Sequence, residues 1–369
     1  MSRPTAQSPV LPFADSYAEA REGFLAAARG AGARLSSYAT GLRGRLGEEL
    51  ATDVAVLGDP AGPRALVLVS GTHGIEGFFG SAAQRAFLTQ TRVPRGMRVV
   101  LIHALNPHGF SHERRADQEN IDLNRNFLDH EAPYPDNPDY ERLADAIVPA
   151  SLEPRTLGAA NEILKAYIAR HGALAFQSAV SRGQYTHPEG LCFGGTGPAW
   201  SNRTLHAIFR DHLSGVEDVV FIDMHTGLGP RGEAELIIET VQDSPAFRRA
   251  QAIWGPQAKA SHDGESVSPP LVGTIDEAVA SAFGSARAAI ACLEVGTVSP
   301  TETFLALRSD GWLHTRGDPD SPQGREIKAR MRAAFAPRDD VWRAQVLAAA
   351  SGIIGAGLAA LTTPRGRAA

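Results

Sequence analysis

"RALVLVSGTHGIEGFFGSAAQRAFL", residues 64–88, joins a uniformly apolar, β-branched run to a helical pattern through a glycine-rich turn carrying His73 and Glu76 three positions apart. A run with no polar face reads as a strand buried on both sides, and the spacing over 75–90 reads as the helix that follows it. The same alternation recurs outward along the chain. Candidate strands fall at 53–58, 64–71, 97–105, 218–225, 234–240 and 288–296, with helical patterns at 75–90, 154–171, 201–214, 244–253, 276–284, 322–336 and 340–361. Such alternation predicts an α/β protein of three layers, α/β/α, with helices on both faces of a central sheet. The stretch 131–155 carries five prolines, yet apolar patterning resumes directly after it, so it reads as a long surface excursion. The expected organisation is one domain over 1–369, with its core at about 50–335 and a C-terminal helix at about 340–361.

Bulk properties narrow the ligand class. The 369 residues are 43% hydrophobic and 21% charged with a net charge of −5, enough for a large core and without a basic field for nucleic acid or anionic lipid. Small or peptide-like ligands are expected, and no nucleic-acid or membrane partner; oligomeric state is not encoded in these numbers. The first 17 residues lack a basic segment followed by an apolar one, and no stretch approaches ~18 uninterrupted apolar residues, so a cytoplasmic location is expected. Cys192 and Cys292 each sit in an apolar segment with no CxxC spacing, as expected of buried free thiols.

In open α/β sheets, ligands bind beyond the carboxyl ends of the strands. Polar residues just past the apolar runs are therefore the ones to collect: His73 and Glu76 after the second, "NPHG" (106–109) after the third, His225 in "DMHTG" near the end of the fourth, and Glu294 in "CLEVGT" at the last. Two histidines and a carboxylate are the donor set of a catalytic zinc with one position left open. Asp223, two residues before His225 and on the same face, is suited to orient its imidazole. Glu294 is embedded in an apolar strand end, where burial raises a carboxyl pKa and suits it to proton transfer. An isolated HxxE is common by chance and a lone histidine is more often a core residue; the ordered combination at successive strand ends is what favours a site.

The loop "NPHGFSHERRADQENIDLNRNF" (106–127) brings Arg114, Arg115, Asn124 and Arg125 into one polar segment, planar donors suited to a carboxylate and an oxyanion. With HxxE, "NPxG", an arginine, "DLNRNF", a strand-borne His and a strand-end Glu in this order, the chain resembles the zinc carboxypeptidase (M14) superfamily. More narrowly, "GTHGIEGFFGSA", "NIDLNRNF", "GQYTHPEGLCFGGTGPAWS" (183–201), "IDMHTGLGP" and "LEVGT" are similar to its DUF2817 group. The resemblance implies a mixed, mostly parallel sheet and one zinc ion held by His73, Glu76 and His225. It implies Glu294 as the base that activates water, Arg115 (or, in the other register, Arg114) as the group that steadies the oxyanion, and Asn124 with Arg125 as the pair that binds a substrate carboxylate.

Carboxypeptidases of that superfamily carry a tyrosine some twenty residues before the glutamate; 254–293 here has none, and Tyr185 is either its replacement from another loop or a structural aromatic. Its absence also suits the acylase branch of the fold, which resembles aspartoacylase and succinylglutamate desuccinylase. The expected substrate is thus a small peptide or an N-acyl amino acid. Rival classes fare worse: no GxSxG follows a strand, "GDPAGPRA" precedes a strand where a dinucleotide turn would follow one, and a purely binding protein has no need of Glu294 and Arg115.

Overall fold

The structure, a computed structural model, describes residues 12–284 and 288–362. Eight strands form one sheet: β1 (Arg34–Arg43), β2 (Glu49–Gly58), β3 (Arg64–Ser70), β4 (Met97–His103), β5 (Asp218–Arg231), β6 (Ala234–Ile238), β7 (Ala258–Ala260) and β8 (Ala288–Gly296), in the spatial order β1-β2-β4-β3-β5-β8-β6-β7. The inner four, β4, β3, β5 and β8, are mutually parallel. Antiparallel β2 and β1 extend one side, while antiparallel β6, with β7 parallel to it, extends the other. The sheet is therefore mixed and mostly parallel, as expected.

Both faces of the parallel block are buried, which explains the unbroken apolar runs. Successive residues point to opposite faces, so Leu66, Leu68, Val99, Leu101, Val220 and Ile222 enter one core. That core is covered by Tyr17–Gly30, Gly77–Gln90, Pro245–Trp254 and Asp340–Thr362, which contribute Phe24, Phe79, Phe247 and Trp342. The alternate residues Val67, Val69, Val100, Ile102, Val219 and Phe221 enter a second core beneath Trp200–His212 and Ile275–Phe283. Three layers result.

Three differences from the sequence reading matter. The packed structure begins earlier than residue 50, because Tyr17–Gly30 buries Tyr17, Ala20, Phe24 and Ala28 at helical spacing. The proline-rich stretch 131–155 contains a helix, Pro138–Ile147, which starts on a proline at its first turn and buries Tyr140, Leu143 and Ile147. Last, Asp340–Thr362 is long and apolar enough to cross a bilayer by length and composition. Its buried residues Trp342, Val346, Ala350, Ile353, Ile354 and Leu361 recur at helical spacing, and the Trp342 indole donates to the Gly296 carbonyl at 2.9 Å. It serves as a core helix.

Candidate active site

The parallel strands β3, β4, β5 and β8 end at one edge, and the expected residues gather there. His73 closes the turn after β3, and Glu76 lies in the 3-10 turn Gly74–Glu76 that opens the following helix. The loop after β4 packs directly on that turn: Gly74 N donates to the Arg115 carbonyl at 3.1 Å and Ile75 N to that of Arg114 at 2.8 Å. A Cβ at Gly74 would fall 2.1 Å from the Gly109 carbonyl carbon, so only glycine permits the approach. His225 in β5 and Glu294 in β8 are register partners across a parallel pair and share a face.

His73, Glu76 and His225 are buried and present one donor atom each within 4.8 Å of one another. His225 Nδ1 lies 3.0 Å from His73 Nδ1 and 2.9 Å from Glu76 Oε2, and His73 Nδ1 lies 3.1 Å from Glu76 Oε1. The far nitrogen of each ring meets a carboxylate: His73 Nε2 to Asp122 at 3.0 Å, His225 Nε2 to Asp223 at 2.6 Å. A neutral imidazole that donates from Nε2 has a bare lone pair on Nδ1. With both rings donating from Nε2, two Nδ1 lone pairs converge with the Glu76 oxygens, which otherwise accept from Arg115 Nη1 at 3.1 Å and Thr226 N at 3.2 Å. A shared cation satisfies this arrangement, and without one a proton on His225 takes that place. The donor set and its carboxylate supports fit zinc.

Charges around this centre are mutually dependent. Burial alone would raise Glu76, yet His73 and the bonds to both histidines hold it well below the usual carboxylate range. Asp122 is likewise held low against its burial, chiefly by Arg115 and His73. Burial opposes protonation of His225, but the Asp223 carboxylate beside it outweighs that and raises it. Glu294 goes the other way: burial, then the negative charge of Glu76, push its carboxyl up to about 8. Its Oε1 accepts from Leu228 N at 2.8 Å.

Arg115, not Arg114, faces the centre. Its Nη1 reaches Glu76 at 3.1 Å and its Nε reaches Asp122 at 2.9 Å, and it lines a cavity of about 580 Å³ that also contains His73, His225 and Glu294. Arg114 points away, donating to Asp310 at 3.1 Å and Asn120 at 2.8 Å in a buried cluster. Asn124 and Arg125 line the same cavity. Arg125 is fixed by backbone carbonyls, Ser181 at 2.8 Å and its neighbour Asn124, and the Asn124 side-chain oxygen accepts from Ile275 N at 2.8 Å. Of the two readings of Tyr185, its contacts match the structural aromatic. Its hydroxyl donates to the Arg125 carbonyl at 2.7 Å and its ring stacks on Tyr134, so it is absent from the cavity lining and supports the arginine from behind.

The block 183–201 has a related task, since Asp122 N donates to Phe193 O and the Asn126 amide to Gly194 O and Gly197 O. Sequence reasoning missed the double role of Asp122, which bridges His73 and Arg115. It also missed Asp276, Glu239 and Cys292, which line the cavity; burial and neighbouring carboxylates raise Asp276. Both cysteines are free.

Fold and site together define a three-layer α/β protein with a His/Glu/His centre competent to hold a metal at the carboxyl edge of its sheet. The chain belongs to the family described as "Protein of unknown function (DUF2817)", which matches residues 13–349. No curated protein matches it. Among solved structures it is similar to carboxypeptidase A from Helicoverpa armigera, at 12% identity and TM-score 0.48 over 88% of this chain and 75% of that one. It is also similar to a putative metallopeptidase from Shewanella amazonensis (12% identity, TM-score 0.42, 87% and 94% covered). An aspartoacylase family protein from Mesorhizobium loti aligns at 14% identity and TM-score 0.38, with 76% and 66% covered.

Proposed function

We propose that the protein is a zinc-dependent hydrolase that cleaves an amide or peptide bond in a small, carboxylate-bearing substrate. The observation that carries the reading is the convergence of His73 Nδ1, His225 Nδ1 and the Glu76 carboxylate, with Asp122 and Asp223 on the far ring nitrogens. Zinc held by these three residues would supply Lewis acidity, lowering the pKa of water and polarising the scissile carbonyl.

The remaining steps belong to the chain. Glu294 keeps one oxygen on Leu228 N. Its carboxyl is raised in the metal-free protein chiefly by burial and the charge of Glu76, and a cation at the centre would offset that charge and lower it. That leaves the other oxygen to take a proton from the attacking water and return it to the leaving nitrogen. Arg115 keeps a guanidinium edge beyond its bonds to Glu76 and Asp122, and that edge would donate to the carbonyl oxygen as it gains charge. Arg125 and the Asn124 amide hold the substrate carboxylate, a role suited to a planar donor that stays charged. A carboxypeptidase and an N-acyl amino acid deacylase share this chemistry. Among the described residues no tyrosine lines the cavity, Tyr185 being bonded to the Arg125 carbonyl, and this favours the deacylase.

The test is hydrolysis of paired substrates, N-acyl amino acids and dipeptides, before and after chelation. Activity lost with metal and restored by zinc supports the reading. Undiminished activity in the metal-free protein, or binding of both substrates without turnover by the zinc-loaded protein, refutes it.

A further inference from the structure

The cavity beside the metal centre has two chemically different ends. At the inner end Asn124, Arg125, Glu239 and Asp276 supply polar atoms. The outer end is walled by Leu164, Ile168, Leu174, Phe176, Phe304 and Leu305, drawn from the helices Pro154–His171, Ala173–Ser181 and Pro300–Arg316. Arg125 is anchored on Ser181, at the C-terminal end of the second helix. Leu174 stands seven residues earlier, about 10 Å away at 1.5 Å per residue. Leu174 is 80% exposed and Leu305 44%, so large apolar side chains meet solvent where the cavity opens. Phe176 and Phe304 lie edge to face there, with centroids 5.3 Å apart. Lys165, also in the lining, pairs its exposed ammonium with Glu162 at 2.8 Å.

Exposed apolar surface continuous with a reactive centre marks a ligand surface more often than a random patch does. We infer that the outer end is an acyl-group subsite: the substrate is an amino acid N-acylated with an apolar chain or ring, its carboxylate inward on Arg125 and its acyl group outward among these three helices. The inference rests on the amide-hydrolase reading of the site. Among the described residues lining the outer end the one cation is Lys165, already paired with Glu162, so an apolar acyl group finds more complementary surface there than one ending in an acid.

The test uses zinc-loaded Glu294→Gln protein, which binds without turning over, and N-acylglycines from acetyl to hexanoyl, with succinylglycine as the acidic control. Full burial of a methylene tightens binding about fourfold, so affinity should rise from acetyl to hexanoyl by between about tenfold and about 250-fold by calorimetry, with a negative heat-capacity change. Adding Leu174→Asp or Leu305→Asp, both at exposed positions, should flatten that series. Equal affinity for acetyl and hexanoyl, tighter binding of succinyl than of butanoyl, or a series unaffected by both substitutions would overturn the subsite. Turnover of the same compounds by the zinc-loaded wild type is scored separately. Turnover without dependence on chain length leaves the hydrolase standing and removes the subsite; a binding series without turnover does the reverse.

Discussion

Replacing Asp122 by Asn tests how far the proposed metal centre depends on a residue outside its His73/Glu76/His225 set. One carboxylate oxygen accepts from His73 Nε2 at 3.0 Å and the other from Arg115 Nε at 2.9 Å, while Asn124 N donates to the first at 3.1 Å. Asparagine keeps one acceptor and turns the other into a donor, so whichever orientation it takes, either His73 or Arg115 faces an N–H. One charge-assisted hydrogen bond is worth about 1.5–3 kcal/mol, which corresponds to a loss of about 10- to 150-fold at 1.4 kcal/mol per decade. Loss of a carboxylate behind a ligating histidine costs metal affinity about 10- to 100-fold. The two routes agree. Zinc affinity measured by competition with a chromophoric chelator should fall within that range in Asp122→Asn, with the far-ultraviolet circular dichroism unchanged. Affinity within about twofold of wild type would mean that His73 needs no orientation, and the account of the centre would fail.

Glu294→Gln preserves the acceptor for Leu228 N but removes the proposed base; kcat should fall by about 10²–10⁴-fold with zinc content unchanged, whereas loss of zinc would make Glu294 a ligand. The same substitution has a pH signature in metal-free protein. Because the folded-state carboxyl is pushed up to about 8 from 4.5, the native state retains a proton that the unfolded chain releases. Stability is then fully present below the lower value and declines as pH rises toward the upper. Melting temperatures of metal-free wild type and Glu294→Gln should diverge across that window in favour of the variant, and parallel curves would contradict the assignment. Arg125→Lys should raise KM for a free-acid substrate by the equivalent of about 1.5–3 kcal/mol and blunt the preference for acid over amide, since both changes remove one contact. Equal kcat/KM for acid and amide on the wild type would rule out the carboxylate role.

The central strands were legible because burial on both faces leaves runs such as 64–71 and 288–296 with almost no polar interruption. The helix over 154–171 was equally clear. Edge strand β1 was not, since its residues alternate between exposed and half-buried and carry no apolar period. Pro300–Arg316 escaped notice for the opposite reason: its buried face includes Arg308 and Asp310, the latter paired with Arg114 and Lys328, so charge interrupts the apolar spacing. At the site, His73, Glu76, His225 and Glu294 could be collected because each lies in or next to a recognisable strand or turn. The choice between Arg114 and Arg115 was not legible. It depends on the path of a loop in which Glu113 and Asn120 both take positive φ, 50° and 61°, and no periodicity records that. Asp122 was hidden likewise: its partner His73 is 49 residues away and meets it only through the close packing at Gly74. The apolar rim was concealed because 154–171 reads as an ordinary amphipathic helix until its neighbours are known.

The proposed function turns on whether His73, Glu76 and His225 hold one zinc ion. Crystals of the zinc-loaded protein, measured on both sides of the zinc absorption edge, test it most directly. The account predicts one anomalous peak per chain within about 2.0–2.2 Å of His73 Nδ1, His225 Nδ1 and a Glu76 oxygen, with Asp122 and Asp223 still on the far ring nitrogens. A peak bound through Nε2, a peak at Cys292 and Glu294 in place of Glu76, or no peak at this sheet edge in protein that is catalytically active would contradict it.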